Sequence, residues 1–124
     1  MNRQPFILVL LATFFFVVNG MAGDRISVEK NVDQLITAIK NGRDPSGVAP
    51  DVYTPYVFVM EKNGLLLVHP TLAGENLKDK AAPIYQALLR ATAEGMWVHY
   101  TWRGKEKQTF ARRCGDRLII ASGY

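Results

Sequence analysis

The chain holds a single cysteine, Cys114, so no internal disulfide can staple it and its stability has to come from packing. A small buried hydrophobe is the plain reading of such a residue; pairing between chains in an oxidising compartment is the alternative. Two histidines and that one cysteine are too few for a zinc-spaced cluster. There is no Gly-x-Ser-x-Gly elbow and no phosphate-cradling glycine loop, and no nucleophile and base can be paired from the sequence. No catalytic residue, metal ligand or cofactor is therefore expected. Internal repeats and low-complexity runs are missing too. Charge of one sign is scarce: the formal net charge is +4, and the basic residues are scattered except for Arg103, Lys105 and Lys107, then Arg112, Arg113 and Arg117. That pattern suits a solvated surface, an anionic small ligand or a membrane face better than nucleic acid.

Also lacking is any apolar run long enough to span a bilayer comfortably. The longest, Phe6 to Val18, falls short of the roughly 20 residues a spanning helix needs. It follows Arg3 and precedes Asn19, Gly20, Met21, Ala22 and Gly23, which is the charge, core and cleavage-zone order of a secretion signal. The expectation is a signal peptide over 1–22, cut after Ala22, with an uncleaved anchor from Pro5 to Ala22 as the alternative. Either way the rest lies outside the cytoplasm, periplasmic or extracellular. About 100 residues then remain, enough for one domain with a modest core.

In that remainder, Ile26, Val32, Leu35, Ile36 and Ile39 keep helical spacing, and Asn41 with Gly42 supplies a stop, predicting an amphipathic helix from Asp24 to Asn41. Residues 42–55 carry Pro45, Gly47, Pro50 and Pro55 and no period, so 24–55 reads as a helix and an irregular connection. Tyr56 to Met60 and Leu65 to His69 are strand-like runs joined at Asn63 and Gly64, a pair suited to a type I′ hairpin. A two-residue loop there sets Lys62 against Leu65, Met60 across from Leu67 and Phe58 across from His69. A loop and helix follow from Asn76 to Glu94, with Pro83 in a first turn, an Ile84, Leu88 and Ala91 stripe, and Gly95 as the stop. Met96 to Trp102 alternates, with Met96, Val98, Tyr100 and Trp102 on one side and Trp97, His99 and Thr101 on the other. After a turn at Arg103, Gly104 and Lys105 come strands from Lys107 to Cys114 and from Leu118 to Ser122. The expected fold is α+β: a five-stranded antiparallel sheet with an N-terminal helix and a helix inserted after the first hairpin.

From Tyr56 onward the chain carries an ordered series of short motifs: Tyr56, Val57, Phe58, Val59; Asn63, Gly64; His69, Pro70; Gly74, Asn76, Leu77; Glu94, Gly95, Met96, Trp97; Tyr100, Trp102; Lys107, Phe110; and Ile120 to Tyr124. Together they cover residues 56–124, and in this order and spacing they resemble the single-Cache family of extracytoplasmic, PAS-like sensor domains. The resemblance implies a domain that binds small organic molecules, often short carboxylates, and reports occupancy to a partner. Relatives that signal directly continue past this point into a second membrane helix, whereas this chain stops at Tyr124, so the expectation is a stand-alone binder acting through a separate membrane receptor or kinase. Homodimerisation is a further possibility for such a domain.

The residues placed in the expected ligand site are His69, Tyr100, Trp102, Lys107 and Phe58. Aromatics wall a small pocket, and an imidazole, a phenol and an ammonium hydrogen-bond or ion-pair with an organic anion. Each has a plainer reading beside it. A histidine ending a strand is a common structural hydrogen-bonder, Tyr100 and Trp102 suit an ordinary core, and a strand lysine usually faces water. His99, opposite Tyr100, is expected at the surface. The competing function is a non-catalytic envelope module whose pocket is filled by its own side chains.

Overall fold

The computed structural model describes residues 24–124; the secretion signal expected over 1–22 lies outside the described residues. Helix α1 covers 24–40. After two short 3-10 turns, Pro45–Gly47 and Pro50–Val52, come β1 (Val57–Glu61), β2 (Leu66–Val68), α2 (Leu77–Lys80), α3 (Ala82–Leu89), β3 (Met96–Trp102), β4 (Lys105–Cys114) and β5 (Leu118–Gly123). The strands form one antiparallel five-stranded sheet in the order β2-β1-β5-β4-β3. The fold is α+β, as the sequence pattern implies.

Both faces of the sheet are covered, which is why β1 and β5 are buried almost throughout rather than at alternate residues. On one face, Val28, Val32, Leu35 and Ile36 of α1 pack on Val57, Val59, Phe110, Leu118 and Ile120. Cys114 is buried in the same cluster, as a small apolar residue. On the other face, α2, α3 and the loop before them bring Leu72, Leu77, Ile84 and Leu88 onto Phe58, Met60, Ala111, Ile119 and Ala121. Ile26 does not join the α1 stripe as expected. It is 64% exposed while Val28 is fully buried, because the two lie about 200° apart round a helix and only Val28 is in phase with Val32, Leu35 and Ile36. Leu35→Ala is expected to cost about 2–5 kcal/mol, the usual range for a fully buried leucine. Urea unfolding followed by circular dichroism measures it, and a loss near zero would mean that α1 is not integral to the folded unit.

The first hairpin departs from its expected register. The Glu61 carbonyl accepts from Gly64 N–H at 2.8 Å, Glu61 N–H donates to the Leu65 carbonyl at 2.8 Å, and Gly64 sits at φ +100°. The loop is thus three residues long, Lys62 to Gly64, with the glycine in the left-handed position that closes such loops. Met60 consequently pairs with Leu66, not Leu67. A bulge at Leu67 then restores Val59 opposite Val68. The two one-residue shifts cancel, so Phe58 and His69 still meet, their rings 5.8 Å apart. The bulge also turns Leu67 and Val68 together toward α1, leaving Leu66 on the opposite face.

The two-residue turn occurs elsewhere. Trp102 pairs directly with Lys105, and Arg103 and Gly104 both have positive φ, 51° and 78°, the combination a type I′ turn requires. Lys105 therefore belongs to β4 and not to the turn. The single helix expected up to Glu94 is two, broken at Ala81. Pro83 has no N–H to give to the carbonyl four residues back, so a helix from Leu77 cannot run through it, and a new one starts with proline in its first turn. That second helix stops at Leu89. The Arg113 guanidinium donates to the Leu89 and Ala91 carbonyls at 2.8 and 3.2 Å, and a turn from Thr92 to Gly95 leads into β3.

Candidate functional site

Tyr100 and Trp102 lie on the face of β3 that carries Val98, and Lys107 faces the same way because it pairs with Tyr100 across the β3–β4 ladder. This end of the hairpin runs beyond the packed layers, so its side chains are only partly covered. Phe58 comes from β1, two residues after Tyr56 and on the same face. His69 comes from the end of β2, set there by the compensated register. The five residues singled out from the sequence line one cleft, open at its mouth and enclosing about 30 Å³ of cavity. Its floor and far wall are apolar: Leu66, Leu72, Leu77 and Ile84.

Pattern reading missed Tyr56 and Leu72. Tyr56 was visible in principle, since period 2 from Phe58 puts both on one face. Leu72 carries no such signal, because it reaches the cleft from a turn. That turn is tied down by Asn76, whose side chain accepts from Lys78 N–H at 2.9 Å as the α2 cap and donates to the Asn63 carbonyl at 3.2 Å. The Gly74, Asn76 and Leu77 motif is therefore a structural tie between the first hairpin and α2.

His69 is a structural hydrogen-bonder that also lines the cleft. Its Nδ1 accepts backbone N–H bonds from Thr71 at 3.1 Å and Leu72 at 3.0 Å, while its ring contacts Tyr56 and Phe58 at 5.9 and 5.8 Å between centroids. With Nδ1 an acceptor, the neutral ring carries its proton on Nε2. Burial, with the positive charges of Arg103 and Lys107 adding to it, lowers the His69 pKa from 6.5 to about 4. The ring is thus neutral at pH 7 and Nε2–H is a donor. Tyr100 O–H shares a 2.9 Å hydrogen bond with Thr109 Oγ1, and burial pushes its pKa up to about 12. Burial raises that of Tyr56 as well. The Lys107 ammonium lies 5.5 Å from the Tyr56 ring centre. Among the described residues no aspartate or glutamate lines the cleft. Its polar end accordingly offers donors and positive charge, and His99 stays exposed on the other face.

Because the folded state lowers the His69 pKa, the unfolded chain binds the proton more readily between pH 4 and 6.5. Stability is therefore complete above about pH 6.5 and falls as the pH drops toward 4, by about 1–2 kcal/mol once solvent screening of this half-buried ring is counted. Urea midpoints at pH 7 and 4.5 measure the loss, which should be smaller in His69→Asn; equal losses in both proteins would assign it to other groups.

No protein-family model matches the chain, and no curated protein matches it.

Proposed function

We propose that the protein is an exported Cache-like domain, PAS-like in fold, that binds a short organic carboxylate and takes part in extracytoplasmic sensing through a membrane receptor or kinase. The observation that carries this reading is the composition of the cleft. Lys107, His69, Tyr56 and Tyr100 neighbour one another and share the cleft with the apolar side chains of Leu66, Leu72, Leu77 and Ile84, with no carboxylate in the lining given by the described residues. A carboxylate at the polar end gains charge-assisted hydrogen bonds in a partly desolvated setting, while its short tail meets Leu72, Leu77 and Ile84. An α-ammonium group finds no acidic partner there, so amino acids should bind more weakly than acetate, propionate, pyruvate or lactate. The sheet order β2-β1-β5-β4-β3 with helices inserted between β2 and β3 supports the PAS-like reading.

A thermal-shift screen of the purified, ligand-free protein against those acids and a set of amino acids tests the proposal. Stabilisation by at least one short acid, and less by amino acids, is the expected result; indifference to all of them would overturn it. A second reading, an envelope interaction or dimerisation module with a filled pocket, draws on the small size of the cavity. About 30 Å³ is room for roughly two water molecules, so any ligand has to be small or has to displace part of the wall. Self-association in solution together with failure of every ligand would favour it.

A further inference from the structure

One wall of the cleft is the turn after β2, and the way it is held gives it a chemical trigger. Pro70 has no N–H, so the first backbone donors after His69 are Thr71 and Leu72, and both point at one acceptor, the imidazole Nδ1, at 3.1 and 3.0 Å. The ring thus acts as asparagine does when its side-chain oxygen caps a turn two and three residues ahead. The second donor belongs to Leu72, which is 7% exposed and forms part of the cavity wall. Other hydrogen bonds close the turn farther on, where Gly74 N–H donates to the Leu66 carbonyl and Glu75 N–H to the Leu72 carbonyl. Those contacts contain no titrating group.

We propose that His69 is a proton-operated latch on this cleft: unprotonated, its Nδ1 holds the Pro70–Ala73 turn and Leu72 closed, and protonation of that nitrogen removes the acceptor and releases them. An Nδ1 that carries a proton faces two N–H donors with a third, so both hydrogen bonds are lost together. The groups around the ring are Tyr56 and Phe58 at β1, Tyr100 on β3, Arg103 in the β3–β4 turn and Lys107 on β4. From α2 and α3 come only Leu77 and Ile84. Among the described residues no acid stabilises the imidazolium, and the two cations oppose it, which keeps the latch shut at neutral pH and opens it in acid. A bound anion reverses that balance. Resting on the ligand reading above, the latch then becomes a gate: an anion beside His69 and Lys107 favours the imidazolium, and release of Leu72 enlarges a cavity that is otherwise tight.

The test is an NMR titration of the intact, ligand-free protein. At pH 7 the imidazole nitrogen shifts should show an unprotonated Nδ1 and a protonated Nε2. From pH 7 to 3.5 the Thr71 and Leu72 amides should shift with the midpoint of the His69 ring, near 4. In His69→Asn, which keeps an acceptor and loses the titration, that transition should vanish. A protonated Nδ1 at pH 7, or amides that titrate alike in wild type and His69→Asn, overturns the latch. Should the variant fail to fold, the wild-type nitrogen shifts alone decide. The gate has its own arm, with methanesulfonate as the probe because its charge is constant over this range. Its affinity should rise roughly tenfold between pH 7 and 4.5. No binding at any pH, with the amide transition intact, leaves the latch standing and counts against the ligand reading.

Discussion

Lys107→Met should weaken the binding of a short carboxylate by about 10- to 100-fold while leaving the fold nearly as stable as before. The factor follows from removing one charge-assisted hydrogen bond in a partly desolvated cleft, about 1.5–3 kcal/mol. Methionine keeps most of the apolar stem, so the wall at that point is preserved. Among the described residues no carboxylate pairs with Lys107, so losing the ammonium strands no buried charge. The loss should therefore appear in affinity and not in folding. Calorimetric titration of both proteins, with thermal melts as the control, reads the two effects separately. Equal affinities would remove Lys107 from the site, and a large drop in melting temperature would make it a structural residue.

The largest expected effect on stability is at Gly95. It sits at φ +100° at the entry to β3, and an added methyl group would run into the Phe110 ring and the Arg112 side chain. The left-handed backbone alone costs about 1 kcal/mol for a side chain. Forcing Phe110 aside adds about 1–3 kcal/mol, the usual range for overpacking. Phe110 stands in the α1-side cluster, its ring tilted against that of its β3 partner Trp97 at 5.5 Å, so its displacement disturbs that cluster. Gly95→Ala is thus expected to lower stability by about 3 kcal/mol, or about 12–24 °C in melting temperature for a domain of this size. A change of only a degree or two in a calorimetric melt would show that the ring moves aside freely and that this packing is loose. The contrast with Lys107→Met is informative, since one substitution should unsettle the fold and the other the cleft.

What could be read in the sequence follows from where the physics is local. Alternation along Met96 to Trp102 and the Val32, Leu35 and Ile36 stripe arise from backbone geometry alone, and both correspond to elements seen here. Turn length is harder, because Asn63 and Gly64 suit a type I′ pair as well as the end of a three-residue loop. The choice is made by partners far along the chain: Asn76 donates to the Asn63 carbonyl, and Leu77 N–H to that of Gly64. At Arg103 and Gly104 the pair preference is weaker, yet the regular β3–β4 ladder imposes the tight turn. Ile26 is apolar but out of phase: the stripe of Val32, Leu35 and Ile36 continues back to Val28, and Ile26 points away from it. The cleft shows the same division. His69, Tyr100, Trp102, Phe58 and Lys107 were legible as polar or aromatic residues at strand positions of known facing or from motif order. Leu72 was not, since only tertiary closure of the turn brings it to the wall.

The most direct measurement is an isothermal titration of the ligand-free protein with propionate at pH 7, repeated with alanine, an amino acid of similar size. Saturable one-to-one binding of propionate, weaker or undetectable for alanine and reduced by about 10- to 100-fold in Lys107→Met, is the expected result. No heat and no change in melting temperature with propionate or any other short acid would contradict the assignment of the cleft as a carboxylate site.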